Sequence, residues 1–147
     1  MNDWRQQPEV RLLALALPLE AFWEIAQLPL YTLWYRNSWD YILYSLAHCT
    51  VGDLLILLIV YESIAVMVRD RRWFAGRIYW TGTLFTLVGA AYTVYSETTN
   101  TVPGGAWEYT ARMPIVPVLG IGAAPMLQWL LIPPLLLWLM RRSALRQ

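Results

Sequence analysis

Glu20, Glu24 and Gln27 follow one another at steps of four and three residues in "LEAFWEIAQLPLY", so on a helix they form one stripe. Two carboxyls four residues apart repel if both are ionised, so at least one holds a proton or shares a cation. A carboxyl that keeps its proton at neutral pH is what a general acid or a proton carrier needs. His48, Cys49 and Asp53 in "HCTVGDLLILL", with Glu97 and Asn100 in "SETTN", add an imidazole, a thiol, an amide and two more carboxyls. Trp107, Glu108 and Tyr109 follow in the next connection, and Gln128 and Trp129 stand inside the last apolar segment. The acid and base candidates are therefore Glu20, Glu24, His48 and Glu97. Gln27, Asn100, Trp107, Tyr109, Gln128 and Trp129 are the substrate-binding candidates. One imidazole with carboxylates also suits a divalent ion such as zinc, manganese or iron, for which His48, Asp53, Glu24 and Glu97 would be the ligands.

Several of these residues have a simpler reading. Thr50 and Asp53 have the spacing of a capping box, in which Asp53 would only satisfy free backbone donors at a helix start. Cys49 fits an inert small apolar position. Gly82, Gly89 and the neighbouring threonines permit close helix packing. Glu97 fits a solvated residue at a span end, and Glu62 a partner for an arginine of the next loop.

The elements that must position these groups are long and apolar. Hydrophobic residues make up 58% of the 147 and charged residues 14%, with a mean hydropathy of +0.40, which reads as an integral membrane protein in one domain. A spanning helix needs about 20 mostly apolar residues, and four segments qualify, roughly 12–33, 46–68, 78–96 and 115–140. The expected fold is all-α, a four-transmembrane-helix bundle with its fourth helix kinked or broken by Pro117, Pro125, Pro133 and Pro134. Broken helices beside polar residues expose free backbone groups and form ion or substrate sites.

All eleven basic residues are arginines. Arg5 and Arg11 precede the first span, Arg69, Arg71, Arg72 and Arg77 follow the second, and Arg141, Arg142 and Arg146 follow the fourth, against Arg36 and Arg112 in the other two connections. The positive-inside rule then places both termini in the cytoplasm. Tyr31, Trp34, Tyr35, Trp39, Tyr41 and Tyr44 crowd the first outer connection and Trp73, Tyr79 and Trp80 flank the inner one, as in interfacial aromatic belts. In this frame Glu20 lies near mid-membrane, and Glu24, Gln27, His48, Asp53, Glu97 and Asn100 collect in the outer half. Glu62 lies deep in the second span.

Ten acids balance the arginines, so no polybasic nucleic-acid patch exists and no nucleic-acid partner is expected. One cysteine excludes an internal disulfide framework, and one histidine excludes a bis-histidine haem in a single chain. The first apolar run meets Glu20 instead of a small-residue cleavage site, so it reads as a retained span and not a signal peptide.

The segments "HCTVGDLLI", "YTVYSETTN", "GAWEYTARMP" and "APMLQWLLIPP" together resemble a group of small bacterial four-helix proteins of the inner (cytoplasmic) membrane. The resemblance covers most of the chain after Tyr44 and implies a bacterial origin but no activity. The architecture is also loosely similar to the sterol-isomerase-like membrane fold, although its motifs do not match position by position. It is similar too to small multidrug transporters in having four helices and a first-span glutamate.

Three functions fit the polar set. The first is an intramembrane enzyme using Glu24 or Glu20 as proton donor or acceptor, with His48 and Glu97 as partners, on an apolar or lipid-like substrate. The second is a metal-binding or accessory subunit of a larger membrane complex. The third is proton-coupled transport of a small hydrophobic compound by a homo-oligomer.

Overall fold

A computed structural model describes residues 7–76, 78–101, 105 and 107–144. Arg5, Arg77 and Arg146, three of the arginines in the topology count, lie outside the described residues. The chain is helical, with no strand among the described residues. Four helices are of 20 residues or more: α1 (Pro8–Gln27), α3 (Trp39–Val68), α4 (Ile78–Asn100) and α5 (Ala123–Ala144). A short helix α2 (Leu33–Arg36) and two 3-10 turns, Leu28–Leu30 and Trp73–Ala75, complete the described elements. Among the described residues, three segments are long and apolar enough to cross a membrane: Pro8–Leu30, Trp39–Val68 and Ala123–Ser143. α4, with 23 residues, is as long as the first of them and longer than the third, but its threonines and tyrosines dilute its apolar character.

Helix boundaries follow local chemistry. α1 opens with Pro8 in its first turn, where the missing N–H removes no bond. Pro18 within it leaves one carbonyl of the preceding turn without its donor. Gln27 ends the regular helix because Pro29 follows, and the chain tightens into the Leu28–Leu30 turn. α3 starts at Trp39, seven residues before the expected 46, directly after an extended Ser38. Thr50 and Asp53 therefore lie well inside a helix, which removes the capping role for Asp53. α3 closes at Arg69, whose φ of 56° is a left-handed cap with its N–H bonded to Ala65 and Val66 carbonyls.

The fourth segment departs most from expectation. Residues 115–122 are not helical: Val118 and Gly120 take φ of 74° and 70°, and Ile115 pairs with Gly122 across the turn. The expected break is thus a loop before the helix. α5 runs uninterrupted from Ala123 to Ala144, with Pro125 near its start and Pro133 and Pro134 inside it.

α1 packs on α3 and α5, and α4 packs on α5 and α3. Among the described residues the interior has two apolar clusters. The larger joins Leu12 and Ala16 of α1, Leu57, Tyr61 and Ile64 of α3, Phe85 of α4 and Trp129, Ile132 and Leu136 of α5. The smaller joins Leu28, Tyr31, Leu33, Ile42 and Met113. Buried polar residues fall between them in sequence on α1, α3 and α4: Glu20 and Gln27, Thr50, and Thr93 and Glu97, with Gln128 on α5. Trp73 was expected at an interface; it is instead 3% exposed, because the Trp73–Ala75 turn folds its ring against Tyr61 and Phe85. Tyr79, Trp80, Trp39 and Tyr44 do face outward, as do Phe22, Ile25, Ile59 and Val66. Such an apolar exterior is unsuited to water and suited to lipid.

Candidate functional site

The stripe on α1 faces inward, where α3 and α5 meet it. Gln128 of α5 is 2% exposed and Glu20 is 1% exposed. The Gln128 Nε2 lies 2.7 Å from Glu20 Oε2, 2.9 Å from Asp53 Oδ2 and 3.3 Å from Glu24 Oε1. Gln27 Nε2 donates to Glu24 Oε1 at 2.9 Å and to Gln128 Oε1 at 3.3 Å. One carboxamide from each of two helices thus holds three carboxyls from two helices.

An amide nitrogen carries two hydrogens, so Gln128 cannot serve three carboxylates fully at once. Both ion pairs among the described residues lie elsewhere, Arg36 with Glu108 and Arg71 with Glu9. Three ionised carboxylates without a counter-ion repel strongly at this range in an apolar setting, so the group is neutralised by protons or by a cation.

A second polar knot lies nearby. Glu97 of α4, 5% exposed, accepts hydrogen bonds from the Tyr31 hydroxyl at 3.5 Å and from the Tyr109 hydroxyl. The Gly122 N–H donates to the Tyr109 oxygen at 2.9 Å. Burial first, and then the neighbouring Glu97, push the Tyr109 phenol above its ordinary pKa, so it remains a donor. The Trp107 indole N–H lies beside the same carboxylate but outside hydrogen-bond geometry. Main-chain bonds hold residues 107–110 as a strap against the segment that follows α1: Thr32 N–H to the Glu108 carbonyl at 2.9 Å and Thr110 N–H to the Leu30 carbonyl at 2.8 Å.

Between the two knots lies a cavity of about 320 Å³. Glu24, Gln27, Asp53 and Gln128 line it from one side and Glu97 and Trp107 from the other, while Tyr41, Tyr44, Tyr92 and Trp129 form much of its wall. Glu24, His48 and Glu97, from three different helices, line this one space. His48 is exposed and stacks on Tyr44 with ring centroids 5.8 Å apart, so it stands at the rim and not at the carboxyl cluster.

Other expected site residues take different places. Glu20 sits behind the cavity wall, bonded to Gln128. Asn100 Nδ2 turns back to the Ser96 carbonyl at 2.8 Å and its own carbonyl accepts from Trp107, a structural role at the end of α4. Tyr109 acts through Glu97. Among the described residues no three His, Cys, Asp or Glu side chains gather as metal ligands; Glu24, His48, Asp53 and Glu97 all line the cavity. Glu62 lies beside Glu9 and Arg71 at the far end of the molecule.

Tyr31 is the residue that sequence reasoning assigned elsewhere, to the aromatic belt. It is 9% exposed and bonds Glu97. Its signal was present: positions 20, 24, 27 and 31 continue one helical stripe. The chain matches no family model, no curated protein and no solved structure.

Proposed function

We propose that this chain is a four-helix integral membrane protein of the bacterial inner membrane, with both termini cytoplasmic, whose outward-opening cavity transfers protons to and from an apolar or lipid-like substrate. The observation that carries the reading is the pair of carboxyls, Glu24 and Asp53, that line the cavity while sharing the Gln128 amide. The arginine asymmetry supports the orientation, with Arg11, Arg69, Arg71, Arg72, Arg141 and Arg142 at one end and Arg36 and Arg112 at the other.

In this reading one of the two carboxyls gives its proton to a substrate carbon or heteroatom and the other, ionised, removes one from a neighbouring position. The proton count of the pair is unchanged, as in a double-bond shift, and no redox partner is needed. Glu20, linked to the pair through Gln128, closes the hydrogen-bonded network from behind. The packed interior around Trp129, Leu57 and Ala16 favours chemistry in a dead-end pocket over passage through the molecule. Aromatic walls exclude water from the carboxyls and strengthen their electrostatics.

Incubating the purified protein in D2O with a bacterial lipid extract tests this. Mass spectrometry is expected to find deuterium at carbon in a lipid component, lost in Glu24→Gln and in Asp53→Asn. Absence of incorporation above the level of those variants rejects the reading.

A further inference from the structure

The composition of the cavity is one-sided. Three carboxyl residues line it, Glu24, Asp53 and Glu97, and His48 at the rim is the one basic side chain in the lining among the described residues. The walls offer aromatic faces from both ends, Tyr31, Tyr41, Tyr44, Tyr92, Trp107 and Trp129. Aromatic faces carry negative potential and attract a desolvated cation. Carboxyls without a counter-ion in an apolar setting do the same more strongly.

An independent observation concerns Gln27. It is 6% exposed and lines the cavity, and both of its amide contacts use Nε2. Its Oε1 is buried with no hydrogen-bond partner among the described residues. A buried acceptor left empty costs free energy unless a donor arrives. Neighbouring groups do not fill it, since Gln128 already gives its amide N–H groups to three carboxyls.

We infer that the cavity binds a protonated amine carried on an apolar or aromatic body. The ammonium sits between Glu24 and Asp53 and donates one N–H to Gln27 Oε1, and the body lies along the tyrosine and tryptophan wall. This rests on the proposed proton-transfer site and names the class of molecule that enters it. A phospholipid ethanolamine would bring its phosphate into the same acidic mouth, so a lone ammonium on an apolar body is the better match. The volume of about 320 Å³ suits a molecule of roughly drug-fragment size.

Isothermal titration of the full chain in a non-ionic detergent, with 4-phenylbutylamine and with 4-phenylbutanol, tests the inference; each titration is corrected against protein-free micelles. The two probes share an apolar body and differ in charge. The amine is expected to bind about tenfold more tightly than the alcohol, and Glu24→Gln or Asp53→Asn to bring the ratio of the two affinities towards one; a ratio unchanged in both variants overturns the inference. Equal binding of the two probes by the unmodified protein overturns the inference, whatever the variants do. Amine selectivity without deuterium incorporation leaves this inference standing and rejects the proton-transfer reading; the reverse pattern does the opposite.

Discussion

Gln128 is the residue on which the polar interior depends. Its amide meets Glu20, Asp53 and Glu24 at 2.7, 2.9 and 3.3 Å. Replacing it with leucine leaves Glu20 and Asp53 without the amide donor and Glu24 with Gln27 alone, so Gln128→Leu is expected to cost about 3 kcal/mol, read by denaturant unfolding in detergent. Glu20→Gln removes one of the mutually repelling groups at nearly constant volume. It is expected to stay within about 1 kcal/mol of the unmodified protein, or to exceed it, in the same assay. The outer ion pair behaves differently. Arg36 and Glu108 meet at 2.8 Å, but their side chains are 68% and 51% exposed. Water and salt screen such a pair, so Arg36→Ala should change stability by less than about 0.5 kcal/mol.

At the scale of elements, the placement of Trp129 and Gln128 depends on how closely α4 approaches α5. Gly89 provides that approach: a Cβ there would overlap the Trp129 ring. Helix contacts of this kind rely on small residues because lipid supplies no hydrophobic drive between helices. Gly89→Ala should therefore push the indole away and lower stability by about 1–3 kcal/mol. The same variant should weaken ligand binding in the cavity, because Trp129 is part of its wall. Gly52 is the internal control: a Cβ at that position meets nothing within 4 Å. Gly52→Ala should leave the unfolding midpoint the same or slightly raised, through its better helix propensity.

At the scale of the whole molecule, the proposed orientation places the Glu108 strap outside and Arg142 inside. In a Cys49→Ala background, Glu108→Cys should react with a membrane-impermeant maleimide on intact cells. Arg142→Cys should react only after permeabilisation. Labelling of both positions, or of Arg142→Cys alone, on intact cells would overturn the orientation and with it the outward opening of the cavity.

Much of this was legible without coordinates. The helical class and the apolar segments follow from composition and length, since a chain this apolar satisfies its backbone polar groups internally when it forms helices. The spacing of Glu20, Glu24 and Gln27 marked an inward stripe because helical periodicity is a local property. Helix ends were less legible. A start at Trp39 and an unbroken α5 depend on where turns and loops dock, as the left-handed residues Val118 and Gly120 show.

Partnership was decided only by tertiary structure. Nothing in the spacing of Gln128 says that it joins Glu20, Glu24 and Asp53, which lie 108, 104 and 75 residues away in sequence. Nor does the position of His48 say that its ring stays at the rim beside Tyr44 while Tyr31 turns inward to Glu97. Residue type and period follow from the covalent chain, so the sequence determines that acids line one face. Which amide meets which acid depends on the rotation and depth at which four helices pack, and those are set by many weak contacts acting together.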